Sequence, residues 1–454
     1  MRTKSSSQMY LSYSGESTLK IVKEYRAKYT VIGELLRKNP SILASAHEDL
    51  ATGLSESSGG RRAKYTSEEI LRALIVMFIE GDSYRDVVVR IENSEFLRDF
   101  VGLGPRPMMD YTFLSRAFAC LTPSTWEVIN QELTVYAILE EKISGEKLRV
   151  DTTVYEVSIH WPADSSLLWD SYRVIARILR CIRDEYPGLG LKYRFHDHRV
   201  KRLYSYISRN ASSRRKSRQR KVKRTYRELI EAVERVVGIS SEVACLLPET
   251  DSYAEELKHY LPLAGRVIDQ ARRRVFGGEK LPASEKLYSI FEEHTELIKR
   301  GKAGKGIEFG HKILVGQTGE KYISQYLVME SRREDKGLVD ELIESHVETF
   351  GTKPDVLAAD KGFYESMDKI NELDRDIDLV SICKKGRRNR QEQSRETDNL
   401  FKEAQRFRAG IEGTISVLNR AFNLFRCLFR GFKNYAASVG CAVFCHNLVL
   451  LTRL

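Results

Sequence analysis

Paired cysteines, long apolar runs and a leading hydrophobic segment are what this chain is short of. Its seven cysteines among 454 residues show neither the paired spacing that holds zinc nor the density that staples a small secreted domain, so a reducing compartment is expected. One grouping stands out, Cys441, Cys445 and His446. It is embedded in Ala442, Val443, Phe444 and Leu448 and reads as small core residues on a buried helix. No run of about 20 apolar residues is apparent that would span a bilayer, and the Ser- and Lys-rich start carries no apolar stretch of the secretory type. A cytoplasmic protein with no membrane partner is the expectation.

An acidic balance is missing too. Lys and Arg number 74 against 63 Asp and Glu, a net charge of +11, and such a surface attracts polyanions without saying anything about fold. The excess is concentrated between Lys192 and Arg227, where Arg199, Lys201, Arg202, Arg209, Arg214, Arg215, Lys216, Arg218, Arg220, Lys221, Lys223 and Arg224 stand with almost no acids among them. Tyr193, Tyr204, Tyr206 and Tyr226 are interleaved. A charge run is usually a solvated helix face. One this one-sided, with rings that can stack on unpaired bases, points to nucleic acid, because Lys and Arg neutralise phosphates and release counterions. Arg214, Arg215, Lys216 and Arg218 are the candidate DNA contacts within it.

The chain has room for about two or three domains. Residues 1–60 read as an N-terminal segment ending in the linker Ser55, Glu56, Ser57, Ser58, Gly59, Gly60. Residues 61–140 read as a helical DNA-binding domain: Ile70, Leu71, Leu74, Ile75, Phe78 and Ile79 recur at helical spacing, Thr66 and Glu69 are placed for a capping box, and Gly81 stops the helix. Further short helices follow around Tyr84–Ile91, Phe96–Phe100 and Asp110–Phe118, the raw material of helix-turn-helix binders or of a plain bundle. A helical, basic insertion is expected over 161–300, with helical patterning again around Tyr288, Ile290, Phe291, Leu297 and Ile298. The remaining stretches, 141–160 and 301–454, carry strand signals: Leu148–Tyr155, a hairpin of Ile307–Val315 and Lys321–Met329, Val356–Ala359 and Ile377–Ile382, with helices near Leu338–Val347 and Met367–Leu373.

Three acids stand in three different settings within this last part. Asp151 lies inside a strand, Asp360 closes the apolar run Val356–Ala359, and Glu412 sits on a helical pattern with Arg408, at the border of a stripe of Ile411, Ile415, Leu418, Phe422 and Phe425. Each alone is an ordinary surface residue. Together they match the places from which a ribonuclease-H-like core aims carboxylates at a pair of divalent cations about 3.5 to 4 Å apart, one activating the attacking oxygen and one stabilising the leaving oxygen. Two Mg²⁺ ions (or Mn²⁺) suit such hard oxygen ligands. The expected fold is therefore α/β: a ribonuclease-H-like mixed-sheet catalytic core with a large helical insertion after the first strand, plus an N-terminal all-helical domain.

The chain resembles DDE-type transposases of bacterial insertion sequences, similar to the ISNCY group. The resemblance runs from Tyr84-Arg85-Asp86, through Phe100, Gly102 and Leu103, to the C-terminus. It rests on Val150-Asp151-Thr152-Thr153, on Pro162-Ala163-Asp164-Ser165-Ser166-Leu167-Leu168-Trp169-Asp170, on Ala359-Asp360-Lys361-Gly362-Phe363-Tyr364, and on Arg408-Ala409-Gly410-Ile411-Glu412. It implies that Asp151, Asp360 and Glu412 are the metal-binding triad. It implies cleavage at the ends of the element, followed by attack of the freed 3′-hydroxyl on target DNA. The related tyrosine–arginine–glutamate–lysine signature is partly kept: Arg408 and Glu412 match, Gln405 replaces the tyrosine, and Asn419 replaces the lysine with Arg420 beside it. Expected partners are double-stranded DNA, as terminal inverted repeats and target, with a homodimer on DNA. Arg408, Arg420 and the loop Lys384, Lys385, Arg387, Arg388 are further candidate DNA contacts, while His311 reads as a packing residue. A nuclease or resolvase without strand transfer, and a DNA-binding regulator with a decayed site, are the alternatives. The basic insertion argues against the first and the retention of all three acids against the second.

Overall fold

Helix caps written in the sequence are realised in the N-terminal third of the computed structural model, which describes residues 18–54, 63–299, 306–331 and 333–454. The expected linker at Ser55–Gly60 lies outside the described residues. Ahead of it, where the sequence suggested only a leading segment, are two helices, α1 (Lys20–Lys38) and α2 (Pro40–Gly53). Pro40 opens α2 where its missing N–H costs nothing. Helix α3 (Ser67–Glu80) has the expected capping box: the Thr66 hydroxyl accepts the Glu69 N–H at 3.2 Å and the Glu69 carboxylate accepts the Thr66 N–H at 2.9 Å. Gly81 ends it in the left-handed region, φ 66°. Helices α4 (Tyr84–Glu92), α5 (Glu95–Val101), α6 (Tyr111–Cys120) and α7 (Pro123–Leu139) follow, each begun by a Ser, Asp or Thr side chain that accepts a backbone N–H.

Strand β1 (Lys147–Val157) buries Leu148 and Val150 on one face. By backbone proximity the chain divides into two compact units, Met1–Glu156 with His311–Leu454, and Val157–Gly310. The second unit holds α8 (Asp164–Glu185), α9 (Asp197–Asn210), α10 (Lys216–Ala244) and α11 (Ser252–Val275). Its own core includes Leu168, Ile175 and Ile182 of α8, Leu229 and Val233 of α10, and Leu257 and Val267 of α11. Helix was expected again near Ile298. Instead Glu296–Lys299 is strand β2, paired antiparallel with Ile307–Gly310. A run of two apolar residues is too short for periodicity to separate strand from helix.

The sheet continues with β3 (Ile307–Thr318) and β4 (Ile323–Val328), the expected antiparallel hairpin, with Leu314 opposite Leu327. Helix α12 (Val339–Phe350), strand β5 (Val356–Ala359), helix α13 (Met367–Leu373) and strand β6 (Leu379–Ile382) complete the alternating part. Strand β5 lies parallel to both β1 and β6, with Val150 opposite Ala359 and Ala359 opposite Ile382. The mixed sheet has seven strands in the order β2-β3-β1-β5-β6, with β4 on β3. Leu148, Val150, Leu314, Leu342, Ile343, Leu357 and Val380 form the core under α12 and α13.

Beyond the sheet come α14 (Arg390–Thr397), α15 (Asn399–Ala409), α16 (Ile411–Ala421), the short strand β7 (Arg426–Cys427) on β1, and α17 (Phe432–Leu451). The helical pattern around Glu412 is thus two helices meeting at Gly410, and its stripe ends early: Phe422 is buried but Phe425 is 60% exposed. Sequence reading found no membrane-length span, yet α17 is long and apolar enough by length and composition. Most of it is buried inside the protein, as in the core helix of a soluble fold, and Cys441 and Cys445 are fully buried on it, with His446 8% exposed. Burial pushes His446 down to about 4.

Candidate active site

Strand β1 places Asp151 on the same face as Arg149, the end of β5 places Asp360 beside it, and the first turn of α16 supplies Glu412. Their carboxylates converge on one atom. Nη1 of Arg408 lies 3.7 Å from Asp151 Oδ2, 3.9 Å from Asp360 Oδ1 and 3.5 Å from Glu412 Oε1. All three contacts are longer than a hydrogen bond, and the Arg408 Nε has no acceptor. The guanidinium is therefore a shared counter-charge, clamped to no single acid.

The three acids differ in exposure. The Asp151 side chain is 19% exposed, Asp360 43% and Glu412 68%. Burial accordingly pushes Asp151 up to about 6, and the Asp360 and Glu412 charges push the same way. The Thr152 backbone N–H, which donates to Asp151 Oδ1 at 2.7 Å, and Arg408 pull against them.

A second arginine holds the frame. Arg149 is 4% exposed; its Nε donates to Gln317 Oε1 at 2.8 Å and its Nη1 to the Phe407 carbonyl at 2.8 Å, with the Phe407 ring beneath it. Gln317 in turn donates to Thr414 Oγ1 at 2.8 Å. Gly410 makes this possible, since a Cβ there would collide with Arg149 Nη1. Gln405, standing where the related signature has tyrosine, donates to the Ser381 carbonyl at 2.7 Å and ties α15 to β6. On the opposite face of β1 the Thr152 hydroxyl meets Asp335 Oδ2 at 3.5 Å, and Lys312 pairs with Asp335 at 3.0 Å. Neither Arg149 nor Asp335 figured among the candidate residues. An arginine inside an otherwise apolar strand was the available signal for the first. Asp335, in a run of charged residues, gave none.

The expected DNA contacts fare differently from one another. Arg214, Arg215, Lys216 and Arg218 are all exposed. Lys385 and Arg387 are exposed as well, but Lys384 is paired with Glu392 at 2.7 Å and Arg388 with Glu396. Their charge is matched within the protein, whereas that of Lys385 and Arg387 is exposed. Arg420 is exposed and bonds back to Ser416 at 2.5 Å. His311 is fully buried against the Phe432 and Tyr435 rings, a packing residue. Of the interleaved tyrosines, Tyr226 is buried.

Hard oxygen donors of this kind suit Mg²⁺ or Mn²⁺. As arranged, a guanidinium stands where a cation would, and among the described residues no group of three or more His, Cys, Asp and Glu side chains is close enough to hold a metal. Carboxylates ligate Mg²⁺ at about 2.0–2.1 Å, so holding one here would require the acids to close in and Arg408 to move aside. No protein-family model, no curated protein and no solved structure matches the chain.

Proposed function

We propose that the protein is a DDE-type transposase that binds the ends of an insertion sequence and carries out metal-dependent cleavage and strand transfer on double-stranded DNA. The observation that carries this reading is the meeting of Asp151, Asp360 and Glu412 around one point, within 3.9 Å of Arg408 Nη1, although they come from a strand, a strand end and a helix far apart in sequence. The element order, a strand, a long insertion, a hairpin, then alternating helices and strands, supports a ribonuclease-H-like core beneath it.

In this reading Asp151, Asp360 and Glu412 hold two Mg²⁺ or Mn²⁺ ions, which when bound supply Lewis-acid activation of the attacking oxygen and stabilise the leaving one. The chain's own part is positioning and charge. Arg149 fixes the last turn of α15 against β1, so that Glu412 faces Asp151 across the edge of the sheet. Arg408, freed from the acids, is one helical turn from Glu412 and in reach of a substrate phosphate. Arg214, Arg215, Lys216, Arg218, Lys385, Arg387 and Arg420 offer exposed positive charge to the DNA backbone.

The test pairs cleavage with binding. Asp151→Ala, Asp360→Ala and Glu412→Gln are each expected to abolish Mg²⁺-dependent nicking of end-containing DNA while leaving gel-shift affinity within a few-fold of the parent. Wild-type nicking by the Glu412→Gln variant would remove that residue from the centre. Nicking without joined products when target DNA is supplied would reduce the activity to that of a nuclease.

A further inference from the structure

Helices α9 and α10 line an open groove of about 780 Å³ in the second unit, and its walls are mostly basic. Arg199, Arg202 and Tyr206 fall at helical spacing along one face of α9, and Arg220, Lys221 and Arg224 answer from α10. Its sole acid, Glu228, lies 3.3 Å from Arg224. Among the described residues no ion pair involves Arg199, Arg202, Arg220 or Lys221, though Lys221 sits over the Tyr206 ring at 4.9 Å. The groove adjoins a smaller cavity that shares Arg199, Leu203 and Glu228 with it and adds the exposed Tyr193, the half-buried Phe195 and a second acid, Glu231, while Tyr172 in its lining is buried.

Arg199, Arg202 and Arg220 are exposed and answered by no carboxylate among the described residues, so their charge is available to a polyanion. The shape narrows the ligand. Duplex DNA admits protein elements into its own groove, about 12 Å wide on the major side, whereas here the concavity belongs to the protein. A basic channel with aromatic rings beside it is how an unpaired strand is held, phosphates along the arginines and bases against the rings. We infer that the α9–α10 groove binds the sugar–phosphate backbone of single-stranded DNA. This deepens the proposed function, since cleavage and joining at DNA ends expose unpaired strands, but it concerns a different surface from the acidic centre.

The test measures binding alone, on the full chain, so that it stands apart from the cleavage assay. Fluorescence anisotropy with oligo-dT and with a random-sequence duplex is recorded against salt for three proteins: wild type, the groove variant Arg199→Ala/Arg202→Ala/Arg220→Ala, and the charge-matched variant Lys258→Ala/Arg266→Ala/Lys280→Ala, at exposed positions outside the groove. The groove variant is expected to lose about 2 from the log–log salt slope for oligo-dT, at roughly 0.7 per phosphate contact, with affinity down on the order of tenfold or more. The charge-matched variant is expected to keep most of that slope. The groove variant's melting temperature should equal or exceed wild type. Should the alanine protein fail to fold, Arg199→Lys/Arg202→Lys/Arg220→Lys keeps the charge and should retain the wild-type slope. Equal losses in the groove and charge-matched variants, unchanged oligo-dT binding in the groove variant, a loss confined to the duplex, or no oligo-dT binding by wild type would each overturn the inference. Oligo-dT binding through the groove with no cleavage under any condition would leave it standing and sink the transposase reading instead.

Discussion

Arg149 Nη1 donates to the carbonyl of Phe407 at 2.8 Å, joining the strand that carries Asp151 to the helical turn that carries Arg408. Arg149 is buried, as is its other acceptor Gln317, and a hydrogen bond from a charged donor contributes roughly 1.5–3 kcal/mol. Arg149→Met is expected to lower stability by at least that much in denaturant titration. It should also loosen Glu412 relative to Asp151, so that cleavage falls further than the loss of folded protein explains. Activity that tracks the folded fraction alone would make Arg149 a packing residue.

Gly410 is where that bond passes. Gly410→Ala would put a methyl against the Arg149 guanidinium, and overpacking of this kind costs about 1–3 kcal/mol. Gly413, one turn along on the exposed side, is open: a methyl added there would meet nothing within 4 Å. Gly413→Ala is therefore expected to be neutral or to stabilise α16 by roughly 0.5–1 kcal/mol. Thermal melts of the two variants give opposite signs if the close approach at Gly410 governs the site.

Arg408 holds three carboxylates together without cations. With it removed, in Arg408→Ala, the acids repel, and melting in chelator is expected to drop by roughly 1–3 kcal/mol, between the values for exposed and buried pairs. Added Mg²⁺ or Mn²⁺ should narrow the gap between variant and wild type. A gap indifferent to the ions would separate Arg408 from the cation site.

The pH dependence follows from Asp151. Its folded-state pKa is raised to about 6, above the value of an unfolded chain, so the native protein binds the proton more tightly than the unfolded one. The stability this brings is full below about pH 4 and is lost as pH rises through about 6. Asp151→Asn has no such charge to bury. It should exceed wild type in stability at pH 7 by on the order of 2 kcal/mol, with the difference closing at pH 4. A constant difference across that range would mean that the carboxylate is not the cause.

Lys385 and Arg387 differ from their neighbours Lys384 and Arg388, whose charges are matched by Glu392 and Glu396. Lys385→Ala/Arg387→Ala should flatten the salt dependence of duplex binding by about 0.9 per lost phosphate contact. Lys384→Ala/Arg388→Ala should instead lower stability and change the slope little. The reverse pattern would place the DNA on the paired residues.

Much of this was legible beforehand because the signals are local. The Thr66–Glu69 box, the hairpin between Ile307 and Met329 and the strand ending at Asp360 depend on neighbouring residues, and sequence records neighbours directly. The meeting of Asp151, Asp360 and Glu412 was legible as a pattern of settings. What escaped were relations between distant segments. Nothing near Arg149 announces Phe407, nothing near Asp335 announces Thr152, and the ion pairs that neutralise Lys384 and Arg388 come from the following helix. β2 escaped for the opposite reason, being too short to show any period.

The chain leaves the sheet after β1 and returns to it only at β2 and β3, although β1 and β3 are neighbours. Their pairing must close a very long loop, an entropic cost that grows with the logarithm of length, unless the intervening helices fold first and bring the loop ends together. Helical contacts are short-range and form quickly. The expected order of assembly is therefore the inserted bundle first and the sheet after it. Leu229→Ala, deep in the bundle core, should slow the appearance of the native sheet in stopped-flow refolding, and not merely hasten its unfolding. The time at which Asp151 acquires its neighbours is thus set by residues that never touch it.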